Sequence, residues 1–103
     1  MSFRDEPYIG LPGEALVRKG LLDHASGRET IESLLIQIGA TRLRRNGVEV
    51  NGLINPDADY RLYEILGKLN GRRAHSQYNA WVRQLVSFER ALENQRARRR
   101  SKE

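Results

Sequence analysis

The stretch Tyr78-Asn79-Ala80-Trp81-Val82-Arg83-Gln84-Leu85-Val86-Ser87-Phe88-Glu89-Arg90-Ala91-Leu92 puts Tyr78, Trp81, Leu85, Phe88 and Leu92 at alternating three- and four-residue steps. Only an α-helix gathers that spacing onto one face. Val82 and Val86 widen the stripe. A ridge of this kind performs no chemistry, but it demands partners, and the rest of the chain supplies three more helical segments.

Working back towards the N-terminus, Asn55, Pro56, Asp57 and Asp59 read as a helix start, with Asn55 as cap, Pro56 in the first position and carboxylates at the positive end of the helix dipole. Ala58, Leu62, Ile65, Leu66 and Leu69 form the apolar face of that helix, and Asn70-Gly71 closes it. A longer apolar segment lies before it. Ile31, Leu34, Leu35 and Ile38 make one stripe, and Ile36, Gly39 and Leu43 extend it sideways, as expected of a central helix with neighbours on two sides. Ser26 with Glu29 offers it a capping box, and Asn46-Gly47 ends it. The first helix opens at Pro12-Gly13, ends at Gly27, and shows Leu11, Ala15, Leu22 and Ala25 on one side with Val17 and Leu21 beside them.

The helices therefore fall at about 13–25, 29–45, 56–70 and 74–98, and residues 1–94 form a single helical domain. The fold class is all-α, a small four-helix bundle or an irregular helical domain, with its core expected around Ile38 and Trp81. Between the second and third helices, Val48 to Ile54 alternates around Asn51-Gly52 as a hairpin would. A two-stranded ribbon of this length is marginal in water, so an extended loop that drops Val48, Val50 or Ile54 onto the helices is the better reading. Gly20, Gly39 and Gly67 lie inside helices, where glycine costs about 0.5–1 kcal/mol relative to alanine, and close helix crossing is the expected compensation.

A chain of 103 residues suffices for one core. Without cysteine it has no disulfide or thiolate metal site. Met1 to Gly13 carries Asp5, Glu6 and two prolines where a signal peptide would have a basic and then an apolar run. No apolar stretch approaches the roughly 18 residues that span a bilayer. The reading is of a cytoplasmic protein with no membrane partner. The net charge is +5, yet residues 95–103 hold five of the 18 basic residues and one of the 13 acidic ones, so the body is close to neutral and the charge belongs to a basic C-terminal tail.

Candidate chemistry is sparse. His24 and His75, the two histidines, have no third ligand and no metal-binding spacing, and His24 reads as a cation at the end of its helix. Asp57 and Asp59 lack the remainder of a calcium loop. There is no phosphate-binding loop, nucleophile elbow or cofactor motif. Glu89 projects near the centre of the apolar face, and Arg42 follows Ile31, Leu35 and Ile38 down the buried stripe of the second helix, so the two are expected to pair at one end of the core. With His75 and Asn79 they form a candidate polar site, the basis of a weak enzymatic reading.

Tyr60, Tyr63 and Gly67 lie opposite the core face of the third helix and suit an interface with a protein partner or a second copy of the chain. Protein–protein interaction or self-association is the leading functional expectation. The rival is accessory binding of nucleic acid through Arg96, Arg98, Arg99 and Arg100, supplemented by Arg72 and Arg73, or by Arg42, Arg44 and Arg45. A helix-turn-helix reading of the first two helices fails, because Leu34, Leu35, Ile36 and Ile38 cannot read base edges.

Overall fold

A computed structural model describes residues 10–102, with side chains described as far as Arg98. The segment before Gly10 and the side chains of Arg99 and Arg100 lie outside the described residues. The chain forms α1 (Glu14–Ala25), α2 (Ile31–Ile38), α3 (Ala40–Arg45), α4 (Ala58–Asn70), one turn of 3-10 helix (Gly71–Arg73) and α5 (Ala74–Lys102). No strand occurs among the described residues, and the fold is all-α. No described helix is long and apolar enough to cross a membrane. In place of one second helix from about 29 to 45 there are two, since the backbone turns at Gly39 between α2 and α3.

α2 packs on α1 on one side and α4 on the other; α4 continues onto α5, and α5 returns to α1, closing a ring of four helical walls. The consequence is visible in α2, where four consecutive residues, Ser33, Leu34, Leu35 and Ile36, are all buried. A helix facing solvent could not bury a continuous run, because successive residues step about 100° around the axis. The centre of the core is Phe88 with Leu34, Leu35, Ile36, Leu43, Leu62, Leu66 and Val17. Ile38 and Trp81, the expected centre, are only half-buried and pack at its edge, because the chain bends immediately after Ile38.

Capping chemistry sets the helix ends. Thr30, not Ser26, starts α2: its Oγ1 accepts from the Ser33 amide at 3.1 Å while Ser33 Oγ accepts from the Thr30 amide at 2.9 Å. Thr30 also donates to the buried carboxylate of Asp23 at 2.7 Å, and Lys19 Nζ reaches the same oxygen at 2.6 Å. The turn between α1 and α2 is thus tied by a charge-assisted bond. Glu29 is released from any cap and pairs with Arg61 of α4 at 2.8 Å. Gly27 (φ 74°) and Gly47 (φ 86°) end α1 and α3 in the left-handed region, each with the paired backbone bonds of a Schellman motif, and the second turn drops Val48 into the core. α4 begins at Ala58, two residues later than expected. Asn55 still acts there, but its Oδ1 accepts from the Asp57 amide at 2.9 Å in an Asx turn instead of capping the helix itself.

The linker 46–57 is an extended loop that buries Val48 and Val50 and lays Ile54 against the core. α1 presents a different face from the one expected: Leu16, Val17, Gly20 and Asp23 are buried, whereas Leu22 is 70% exposed. The reason is Gly20. A Cβ there would stand 2.5 Å from Ile36 Cγ1 and 2.6 Å from the Glu32 carbonyl, so α1 crosses α2 where it has no side chain. Leu69, counted on the apolar face of α4, is 66% exposed because it falls in the last turn, beyond the reach of the core.

Gly39 answers to the same logic, since a Cβ would meet Glu89 Oε2 at 2.6 Å and Leu85 Cδ2 at 3.0 Å. Gly67 does not: nothing lies within 4 Å of the position its Cβ would take. Gly20→Ala and Gly39→Ala should each destabilise the fold by about 1–3 kcal/mol through overpacking, whereas Gly67→Ala should stabilise the isolated chain by about 0.5–1 kcal/mol through helix propensity. Urea unfolding at low protein concentration measures all three.

Candidate functional site

Three groups of side chains stand out, at different places on the molecule. The first is the ion cluster at the Gly39 bend. Arg42 of α3 does reach Glu89, with Nη1 3.4 Å from Oε1, but its main partner is Glu93, one turn further along α5, which it holds in a two-pronged grip at 2.7 and 2.8 Å. Asn46 adds a third donor to Glu93 at 3.2 Å. Glu93 escaped the sequence reading although a signal existed: Glu89 and Glu93 are four residues apart, so an arginine facing one of them faces both.

The two carboxylates differ in kind. Hydrogen bonds from Arg42 hold the Glu93 carboxyl down at about 2 from an ordinary 4.5. Glu89 is 3% exposed, its Oε2 has no hydrogen-bond partner, and burial outweighs the attraction of Arg42 and raises its pKa. Oε2 rests against the bare Cα of Gly39, a space too tight for a ligand. The cluster is a structural joint between α3 and α5.

The second group joins α4 to the start of α5. Tyr60 and Tyr63 are 68% and 41% exposed. The Tyr63 ring lies 6.3 Å from that of His75 and 5.7 Å from that of Tyr78, and Asn79 Nδ2 is 3.3 Å from His75 Nε2. From Asn79 a shallow groove continues along α5 between Val82 and Val86, rimmed by Arg83, Ser87 and Arg90. Burial raises the Tyr78 phenol pKa, with the charge of Asp59 adding to it. The polar site expected from His75, Asn79, Glu89 and Arg42 is therefore divided. His75 and Asn79 belong to this surface, while Glu89 sits about 21 Å away along the axis of α5, too far for the two to act on one substrate.

The third group is basic. Arg96 Nη1 donates to the Asn46 carbonyl at 3.1 Å, bringing the end of α5 beside the end of α3, where Arg44 donates to the Val50 carbonyl at 2.6 and 3.0 Å. Arg72 and Arg73 are exposed at the other end of α5, about 35 Å from Arg96, so they do not supplement it in one patch.

A further concavity, about 520 Å³, opens between the end of α1 and the linker and is lined by His24, Arg28, Gln37, Asn51, Leu53 and Asn55 among others. Two of its polar groups are already engaged: His24 Nε2 pairs with the Asn51 carbonyl at 2.7 Å, and Gln37 Oε1 accepts from the Asn55 amide at 2.8 Å. They pin the linker to the helices, and His24 does so from the last turn of α1, where the sequence places it. Among the described residues no three His, Asp or Glu side chains gather as a metal site.

Comparison with protein-family models, curated proteins and solved structures finds no match to this chain.

The ion cluster makes stability depend on pH in two opposed ways. Glu93 has a depressed folded pKa, so its contribution is complete above 4.5 and is lost as pH falls towards about 2. Glu89 has a raised one, so its contribution is complete below 4.5 and is lost as pH rises through its folded value. Glu89→Gln should abolish the decline on the alkaline side of 4.5 while leaving the acid limb in place, as read from urea unfolding at about pH 3, 5 and 7.

Proposed function

We propose that the chain is a self-association module whose contact surface is the outer face of α4, continued by the first turns of α5. Gly67 carries the reading. Of the three glycines inside the helical segments, Gly20 and Gly39 are explained by contacts closer than a side chain permits, whereas Gly67 has nothing within 4 Å of its Cβ position among the described residues, which give no reason for its weakening of α4. A second copy supplies a reason.

Tyr60, Tyr63 and Gly67 lie within about 60° of one another around the α4 axis. In an antiparallel pair of α4 helices with a twofold axis near residue 65, Tyr63 of each copy seats over the bare backbone at Gly67 of the other, a ring against a depression made for it. The charges agree with this pairing. Asp57 and Asp59 make one end of the face acidic, and Arg72 and Arg73 make the other basic, so opposite signs meet twice. Two helix dipoles opposed in this way also attract. Tyrosines serve such an interface because their rings bury area while their hydroxyls remain hydrated at the rim.

Equilibrium sedimentation tests the proposal. The wild-type chain should form dimers, and Gly67→Gln, which fits the isolated helix but fills the depression, should weaken the association at least about tenfold, equivalent to 1.4 kcal/mol. A wild-type chain that stays monomeric throughout the accessible concentration range, or a Gly67→Gln chain that dimerises as well as wild type, overturns it.

A further inference from the structure

We infer that Asn51 is a site of spontaneous covalent modification, at which the Gly52 backbone nitrogen attacks the Asn51 carboxamide and the residue becomes aspartate or isoaspartate. The sequence holds three Asn-Gly pairs, at 46–47, 51–52 and 70–71. Their intrinsic chemistry is the same, because glycine places no Cβ beside the attacking nitrogen. What separates them is how the fold engages the two groups that react.

Two of the pairs are protected. Asn46 is 9% exposed, and its Nδ2 donates to the Arg42 carbonyl at 3.0 Å and to Glu93 Oε2 at 3.2 Å, so the leaving group is held, while the Gly47 amide donates to the Arg44 carbonyl at 3.0 Å. Asn70 is exposed at the end of α4, but the Gly71 amide donates to the Gly67 carbonyl and continues the helical bonding. At 51–52 both groups are available. Asn51 is exposed, and among the described residues neither its carboxamide nor the Gly52 amide has a hydrogen-bond partner. The main-chain oxygens around them are held instead: Arg44 donates to the Val50 carbonyl at 2.6 and 3.0 Å and to the Gly52 carbonyl at 3.5 Å, and His24 Nε2 donates to the Asn51 carbonyl at 2.7 Å.

Water is the only co-reactant. A solvent base takes the Gly52 amide proton, the nitrogen bonds to Asn51 Cγ, and ammonia leaves with a proton from solvent, closing a cyclic imide. Water then opens the imide at one of its two carbonyls. Opening at Cγ gives aspartate, and opening at the former main-chain carbonyl gives isoaspartate, in which the chain runs to Gly52 through Cγ. Either product brings a carboxylate to the concavity that Asn51 lines with His24 and Arg28. In isoaspartate the oxygen that accepts from His24 itself belongs to the carboxylate, and the main chain is one carbon longer. The tie between the linker and the end of α1 is then rebuilt as a charge-assisted bond when His24 carries a proton.

The test is a time course of the full chain held near neutral pH at physiological temperature, read by tandem mass spectrometry of tryptic peptides. Conversion adds one mass unit; fragment masses separate Asn51 from Asn46 within the peptide 46–61, and Asn70 falls in the peptide 69–72. In the folded chain Asn51 should react at least about tenfold faster than Asn46 or Asn70, since a group held by hydrogen bonds reacts only from its opened fraction. In urea sufficient to unfold the chain the three rates should come together. The inference is overturned if Asn46 or Asn70 reacts as fast as Asn51 in the folded chain, if the preference for Asn51 persists undiminished in urea, or if Asn51 is inert in the folded chain over a period in which it reacts in the unfolded one.

Discussion

The whole arrangement depends on α2 being enclosed, and α2 can be enclosed only because two helices approach it more closely than a methyl group permits. α1 does so at Gly20, against Ile36 and the Glu32 carbonyl; α5 does so at Gly39, through Leu85 and Glu89. These contacts allow Ser33, Leu34, Leu35 and Ile36 to be buried in succession and let α4 close the opposite side. A chain of this size has one core, and here that core is organised around the buried α2 and the Phe88 ring. Ser33 is tolerated at its centre because its hydroxyl is hydrogen-bonded within the Thr30 cap.

Periodicity was enough to read the order and character of the helical segments, because a buried stripe must repeat at the helical period wherever it packs. The α5 ridge, the encirclement of α2 and the burial of Val48 and Val50 follow from spacing and side-chain type. Features that depend on a neighbour's shape were not legible. Counting apolar residues on α1 favoured Leu22, whereas the crossing at Gly20 selects Leu16, Val17 and Asp23 instead. The bend at Gly39 was hidden because Ile38, Ala40 and Leu43 continue an apolar pattern across it. Thr30 and Ser26 are both good caps by type, and only the tie to Asp23 decides between them.

The same division holds for the candidate sites. That Glu89 is buried, and that Arg42 lies near it, could be read from helix registers. Which carboxylate the guanidinium grips could not, since that depends on a fraction of a turn in how α3 meets α5, and the geometry assigns the grip to Glu93. Arg72 and Arg73 stand apart from Arg96, because a 29-residue helix separates its ends by more than the width of the domain. The tyrosine face of α4 was identified as opposite the core, and the structure adds its continuation through His75 and Asn79 onto α5.

Gly39 and Glu89 share one small volume, the space a methyl group would need at residue 39 being filled by a carboxylate oxygen from residue 89. A methyl group at residue 39 would therefore displace the Glu89 carboxylate, and because that carboxylate also faces Arg42, the displacement would be felt in the ion cluster. The joint between α2 and α3 and the ion cluster are thus mechanically one unit.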